Sequence, residues 1–333
     1  MIKPSTMRAA ILEAHGAPFQ VTTVAQPRPG SGEVLVRIAA SGVNPLDTKI
    51  RAGTAAHARQ SLPAILGLDT AGTIEAVGPD VTAFKAGDEV YGMTGGVGGH
   101  QGSLAEYQVV DVGLLARKPA NQSMREAASL PLVAITAWEG LIDRAQLRAG
   151  QRVLVHGGAG GIGHVAVQIA RAFGAEVFAT GSEPQRTIIE GDGATFIDYQ
   201  SETVANYVAR CTGGRGFDVV YDTVGGVTLD TSFEAVCRFG HVVSALGWGT
   251  HALAPLSFRA ATYSGVFTLL PLLTGEGRAH HGGILEKITH LVESGKLVPR
   301  LDPRRFSLND VCHAYQAINE RTANGKLVVE IQL

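Results

Sequence analysis

Two stretches of this sequence are dense in glycine: HGGAGGIG at 156–163 and GMTGGVGGHQG at 92–102. Glycine carries chemistry where the backbone has to come close to a ligand. In the first stretch, Gly158, Gly160 and Gly163 satisfy G-x-G-x-x-G. They follow the apolar run RVLVHG (152–157) and open GIGHVAVQIARAFG. There Ile162, Ala166, Ile169, Ala170 and Phe173 recur at helical spacing, and Gly174 is placed to end the helix. His164, Gln168 and Arg171 mark its opposite, solvated face. Strand, glycine turn and helix N-terminus in this order let a pyrophosphate approach backbone N–H groups. Gly158, Ala159, Gly160, Gly161, Ile162 and Gly163 are therefore the expected dinucleotide-binding turn. The second stretch fails the same test. Position 101 is Gln, and SLAEYQVV after it alternates like a strand. It reads as a flexible loop bordering a cleft, with His100 solvated.

The kind of dinucleotide is read from the following strand. An NAD site places an acid about 20 residues beyond the glycines, against the adenosine ribose. Here the strand ends ATGSEPQR, with Thr180, Gly181 and Ser182 in the decisive places and Glu183 already in the loop. Ser182 and Arg186 are suited to a 2′-phosphate, and Tyr199 ends the next strand nearby. The expected cofactor is NADPH.

The elements that position these residues change character along the chain. Up to about residue 125, runs such as EVLVRIAASGVNP and DTAGTIEAVGPDVTAFKAGDEVYGM carry β-branched residues broken by Gly, Pro and Asp. That is a barrel-like, all-β texture. From about 126, apolar strands alternate with amphipathic helices: RVLVHG, EVFATG, TFIDY, FDVVYD, HVVSAL and SGVFTLL (264–270) are the strand candidates. Alternation of this kind implies a doubly wound parallel sheet. GGILEKITHLVESGKL (282–297) reads as a helix, and the last residues as a strand returning to the first domain.

At 333 residues the chain is long enough for two cores. A net charge of −2 gives no electrostatic footprint for nucleic acid or an anionic membrane, and no run of 18 apolar residues exists. The first residues do not read as a signal peptide. Cys211, Cys237 and Cys312 are far apart, which argues against a disulfide framework and fits a reducing cytoplasm.

The glycine turn together with ASGVNPLDTKIRAG (40–53), ILGLDTAGTIEAVG (65–78), GDEVYG (87–92), EAASLPLVAITAWEGL (126–141) and NGKLVVEI (324–331) resembles the medium-chain dehydrogenase/reductases, and most of all their zinc-free quinone oxidoreductase branch. The resemblance implies a GroES-like catalytic domain from residues 1–125 and 271–333 and a Rossmann domain over 126–270. Zinc-dependent relatives place Cys where this chain has Asn44, and His-Glu where it has Leu68-Asp69. No C-x-x-C is present, so neither catalytic nor structural zinc is expected. Without that Lewis acid the fold suits electrophiles that are already activated, quinones or α,β-unsaturated carbonyls.

The resemblance further implies that Asn44 bonds the cofactor ribose or the substrate and that Asp47 holds the surrounding loop. Thr136 faces the nicotinamide, and Asn324 and Lys326 close over the cofactor. Quinone oxidoreductases carry tyrosines where this chain has Lys49 and Ala55. Lys49, Tyr91 and His100 are the open candidates for an acid. A hydroquinone anion takes its proton from water, which favours quinones over enoyl thioesters. Trp138, Tyr263 and Phe267 are candidates for an apolar wall. The catalytic cleft is expected between the two domains, and a homodimer through the edge strand TYSGVFTL (262–269). An NADPH-dependent enal or enone reductase, and a non-catalytic NADPH-binding relative, are the alternative functions.

Overall fold

The structure, a computed structural model, describes residues 5–331. Contacts gather them into two units: residues up to Leu132 and from Leu269 form one, and Val133–Thr268 the other. Among the described residues no helix is long and apolar enough to cross a membrane.

The second unit is built on a six-stranded sheet. Its strands lie in the order Thr195–Asp198, Glu176–Gly181, Arg152–His156, Phe217–Asp222, Val236–Ser244, Thr262–Gly265, and every neighbouring pair is parallel. Numbered along the chain, that order is 3-2-1-4-5-6, the doubly wound arrangement that binds dinucleotides where the strand order reverses. The reversal falls between Arg152–His156 and Phe217–Asp222. Helices cover the sheet, so its strands are apolar on both faces. Leu154, Phe178, Ile197, Val220 and Val242 from the strands pack with Tyr207, Leu229 and Phe233 from the helices, all at most 4% exposed. The last strand is shorter than SGVFTLL suggests. It ends at Gly265, and the Val266 N–H gives a final bond to Ser244 O at 2.9 Å. Pro271 then sits in the first turn of helix Leu270–Thr274, where a proline is tolerated.

The first unit carries an antiparallel sheet. Glu33–Gly42 is flanked by Asp69–Val77 on one side and by Val328–Glu330 on the other. The chain end therefore does return to complete the first sheet. Helix Arg278–Glu293 starts one turn earlier than the expected 282–297. The loop at 92–102 is a loop, but its backbone is tied down. Gly96 N–H donates to His100 O, Gly98 N–H to Ala58 O, and Gly102 N–H to Ile65 O. His100 is not solvated as expected. Its Nε2 lies 3.1 Å from Leu272 O and 3.2 Å from Arg278 Nη2.

Candidate active site

The glycine turn follows strand Arg152–His156 and leads into helix Gly161–Ala172. Gly158 N–H donates to Thr180 O and Gly160 N–H to Gly157 O, both at 2.9 Å, which locks the turn onto the neighbouring strand. A Cβ on Gly158 would lie 2.5 Å from Ala179 Cβ, and one on Gly163 2.0 Å from Gly157 O. These two glycines are required by packing. A Cβ on Gly160 would meet Gly157 O at 3.2 Å, a tight contact that a small shift relieves, and with Gly161 this residue faces solvent. Ile162 is half-buried and Ala159 buried. The result is a tight turn with open backbone at a helix N-terminus, which fits a pyrophosphate. The helix has no wide solvated face, contrary to expectation. His164 and Gln168 are buried, and only Arg171 of the three is exposed. Along the helix itself, His164 Nδ1 lies 3.1 Å from Gly160 O, and Gln168 Nε2 donates to His164 O at 3.1 Å.

At the end of the next strand, Ser182 caps a short turn, with Gln185 accepting its N–H at 3.0 Å. Arg186 lies over the Phe196 ring at 4.3 Å and is bonded to Glu183 and Glu190. Tyr199 is 58% exposed beyond the third strand. Thr136, in helix Pro131–Trp138, is buried; its hydroxyl meets Thr268 Oγ1 at 3.0 Å, and Thr268 donates to Glu139 Oε2 at 2.9 Å. Trp138 is core, packed edge-on against Phe173 at 5.5 Å. Phe267 instead pairs with Trp248, a residue the sequence did not bring forward, and both rings are partly exposed.

The first unit concentrates charge in its interior. The antiparallel register places Gly42 opposite both Asp69 and Val328, so Asn44, Asp69 and Lys326 converge at the ends of three strands. Asn44 Nδ2 donates to Asp69 Oδ2 at 2.9 Å, and Lys326 Nζ donates to Asn44 Oδ1 and to Val43 O. Asp69 Oδ1 accepts the Leu132 N–H at 2.9 Å. Asp47, in helix Pro45–Ala52, accepts the Asn44 backbone N–H at 2.8 Å. Its other oxygen has no partner among the described residues. Lys49, on the same helix, is exposed and outside this cluster. So is Asn324, whose N–H is held by Asp302. Tyr91, another candidate acid, is fully buried, its hydroxyl bonded to Leu285 O and Thr289.

An ammonium can only donate and a carboxylate can only accept, so the Asn44 amide has one possible orientation. Turning it over would set Nδ2 against Lys326 and Oδ1 against Asp69. Burial disfavours charge throughout the cluster. It pushes Asp47 up to about 8, and the nearby Asp69 adds to this. Asp69 is pushed to about 6, held there against burial by Lys326 and by the Asn44 bond. Lys326 is lowered by burial. At neutral pH Asp69 is thus mostly ionised and Asp47 mostly protonated.

The titration of Asp47 is testable through stability. The folded chain keeps this proton up to about pH 8, whereas the ordinary value is 3.8. Between those values the folded state binds more protons than the unfolded one, so stability falls as pH rises, by at most roughly 1.4 kcal/mol per pH unit for one group. Asp47→Asn should remove this slope, and its stability relative to wild type should improve steadily from pH 5 to pH 8 in denaturant titrations. A difference flat with pH would show that Asp47 is already ionised.

Comparison with known proteins gives the chain a family. A model described as alcohol dehydrogenase GroES-like domain matches residues 30–120, and one described as zinc-binding dehydrogenase matches 193–329. The chain is 36% identical to 2-methylene-furan-3-one reductase of Solanum lycopersicum, over 98% of this chain and 79% of that protein. It is 33% identical to the chloroplastic NADPH-dependent alkenal/one oxidoreductase of Arabidopsis thaliana, over 98% and 80%. The chain belongs to the medium-chain dehydrogenase/reductase superfamily. It is accordingly a nicotinamide-dependent oxidoreductase. Solved members include an alcohol dehydrogenase superfamily protein from Novosphingobium aromaticivorans, with TM-score 0.96 and 57% identity, covering 98% of this chain and 100% of that one. The quinone oxidoreductase from Coxiella burnetii superposes with TM-score 0.83 at 26% identity, covering 98% and 100%.

One property in those descriptions, zinc binding, does not fit the residues that converge here. Zinc takes thiolate, imidazole and carboxylate ligands. The residues converging here are an amide, two carboxyl groups and an ammonium, and the ammonium already donates to Asn44. Among the described residues no group of three or more His, Cys, Asp or Glu is disposed to hold a metal.

In the sequence Asp69 stands out only as the residue where zinc-dependent relatives carry Glu, and nothing there marks the Thr268–Glu139 pairing behind Thr136. The register that makes Asp69 the partner of Asn44 joins strands far apart in sequence.

Proposed function

We propose that this protein is an NADPH-dependent, zinc-free reductase of activated conjugated carbonyl compounds, with quinones as the leading substrate class. The observation that carries this reading is the Asn44–Asp69–Lys326 cluster, in which a fixed amide stands where a metal ligand would be needed. Such a site orients and hydrogen-bonds; it does not ionise an alcohol. It therefore suits acceptors that are electrophilic before they bind. When bound, the cofactor supplies a hydride. Gly160 and Gly161 offer open backbone to its pyrophosphate. Ser182 and Tyr199 follow the ends of their strands, and Arg186 opens the next helix, where the cofactor's ribose phosphate is expected. A quinone needs no protein acid at the second step, in keeping with the exposed Lys49 and with the engaged Tyr91 and His100. A second reading, reduction of an enal or enone C=C bond, is favoured by the names of the two plant relatives.

NADPH oxidation against a panel of quinones, enones and enoyl thioesters tests the proposal. Turnover of quinones or small enones is expected, and none on any of the three would overturn it. Cofactor choice is tested separately. A charge-assisted bond contributes roughly 1.5–3 kcal/mol, so Arg186→Ala should weaken NADPH binding about 10- to 100-fold and hardly change NADH binding. Equal losses for both cofactors would remove the 2′-phosphate role.

A further inference from the structure

The feature left over is the company that Arg186 keeps. Its Nε and Nη2 are bonded to the two oxygens of Glu183, each at 2.8 Å, and its Nη1 to Glu190 Oε1 at 3.3 Å. The guanidinium lies over Phe196 at 4.3 Å, which fixes its plane. Glu183 is fixed as well. It opens the short turn Glu183–Gln185, which the Ser182–Gln185 bond holds shut. The same stretch explains why no acid stands at the strand end itself. A Cβ on Gly181 would lie 2.5 Å from Ile189 Cδ1. A side chain there would have to push Ile189 aside, and the first carboxylate comes two residues later.

From this geometry we infer that Glu183 is a specificity-determining residue that restrains the preference for NADPH. The inference rests on the cofactor reading above. Glu183 occupies one bidentate edge of Arg186, of a geometry that also suits a phosphate. Three of the five guanidinium donors are taken, and two remain on the η nitrogens. The arginine with its two glutamates carries a local charge of −1, and an incoming 2′-phosphate adds further negative charge to that. The phosphate therefore either displaces Glu183 or settles on the remaining η edge with Glu183 close by. A cofactor with a free 2′-hydroxyl meets no such repulsion, and Glu183 can accept a hydrogen bond from it. The pair thus selects by opposition: Arg186 attracts the 2′-phosphate, and Glu183 weakens that attraction.

The test is the ratio of NADH to NADPH dissociation constants in Glu183→Gln, measured by fluorescence titration on the full chain. Glutamine keeps the size and removes the charge. The pair is at the surface, so little stability is at stake. The ratio should shift toward NADPH by about 5- to 20-fold at low salt, with the shift shrinking as salt rises. Glu190→Gln, which removes only the longer bond, should shift it less. A structural role for Glu183 would weaken both cofactors together and leave the ratio alone. A shift below threefold, or one toward NADH, overturns the inference. If Arg186→Ala still weakens NADPH binding in that case, only the role of Glu183 falls. If Arg186→Ala changes neither dissociation constant, the NADPH reading falls with it.

Discussion

Gly163→Ala should abolish practical dinucleotide binding, with an NADPH dissociation constant raised at least about 100-fold, and should lower the melting temperature as well. The added Cβ would stand 2.0 Å from Gly157 O and 3.0 Å from Gly158 Cα, both backbone atoms. Neither can swing aside as a side chain does, so the turn has to open. Opening it separates Gly158 from Thr180 O and moves the helix N-terminus from its place. Gly160→Ala is the informative partner. Gly160 has φ −74°, and its Cβ would meet Gly157 O at 3.2 Å, a tight contact that a shift of a few tenths of an ångström relieves, so the fold should tolerate the substitution. Its melting temperature should stay close to wild type, while NADPH binding weakens about tenfold or more because the methyl occupies the approach to the turn. Calorimetric titration and thermal unfolding on both variants separate the two effects. If Gly163→Ala bound NADPH within threefold of wild type, the pyrophosphate would have to lie elsewhere.

Lys326→Met should be the most destabilising single substitution in the first unit's polar interior, by about 3–5 kcal/mol, the range for leaving a buried charge without its nearby counter-charge. Methionine fills similar volume but leaves Asp69 and the Asn44 carbonyl without their cation. The remedy is predictable from the same geometry. Asp69→Asn made together with Lys326→Met returns the buried cluster to neutrality, and much of the lost stability should come back. Activity should not, because the amide of Asn44 then has no ammonium and carboxylate to choose its orientation. Denaturant unfolding of the two single variants and the double variant gives the coupling energy. A loss below about 1 kcal/mol for Lys326→Met would show that the ammonium is solvated rather than buried.

The sequence by itself determined the features whose cause is local. The glycine turn needs a strand before it and a helix after it, and all three are contiguous, so spacing alone revealed them. The alternation of apolar strands and amphipathic helices likewise reports the geometry of each element, and so the parallel sheet and the family resemblance were legible. Tertiary structure decided what depends on register and burial. Asn44 lies 25 residues from Asp69 and 282 from Lys326 along the chain, and only the antiparallel pairing through Gly42 brings them together. The same holds for Thr136 and Thr268, separated by 132 residues. His164 and Gln168 looked solvated from their polarity, because periodicity shows which face is apolar but not whether the other face is also covered. Arg186 and Glu183 are close in sequence, yet their pairing was not legible either. A side chain's partner depends on the rotamer that its surroundings allow, and here those surroundings include the Phe196 ring of a neighbouring strand.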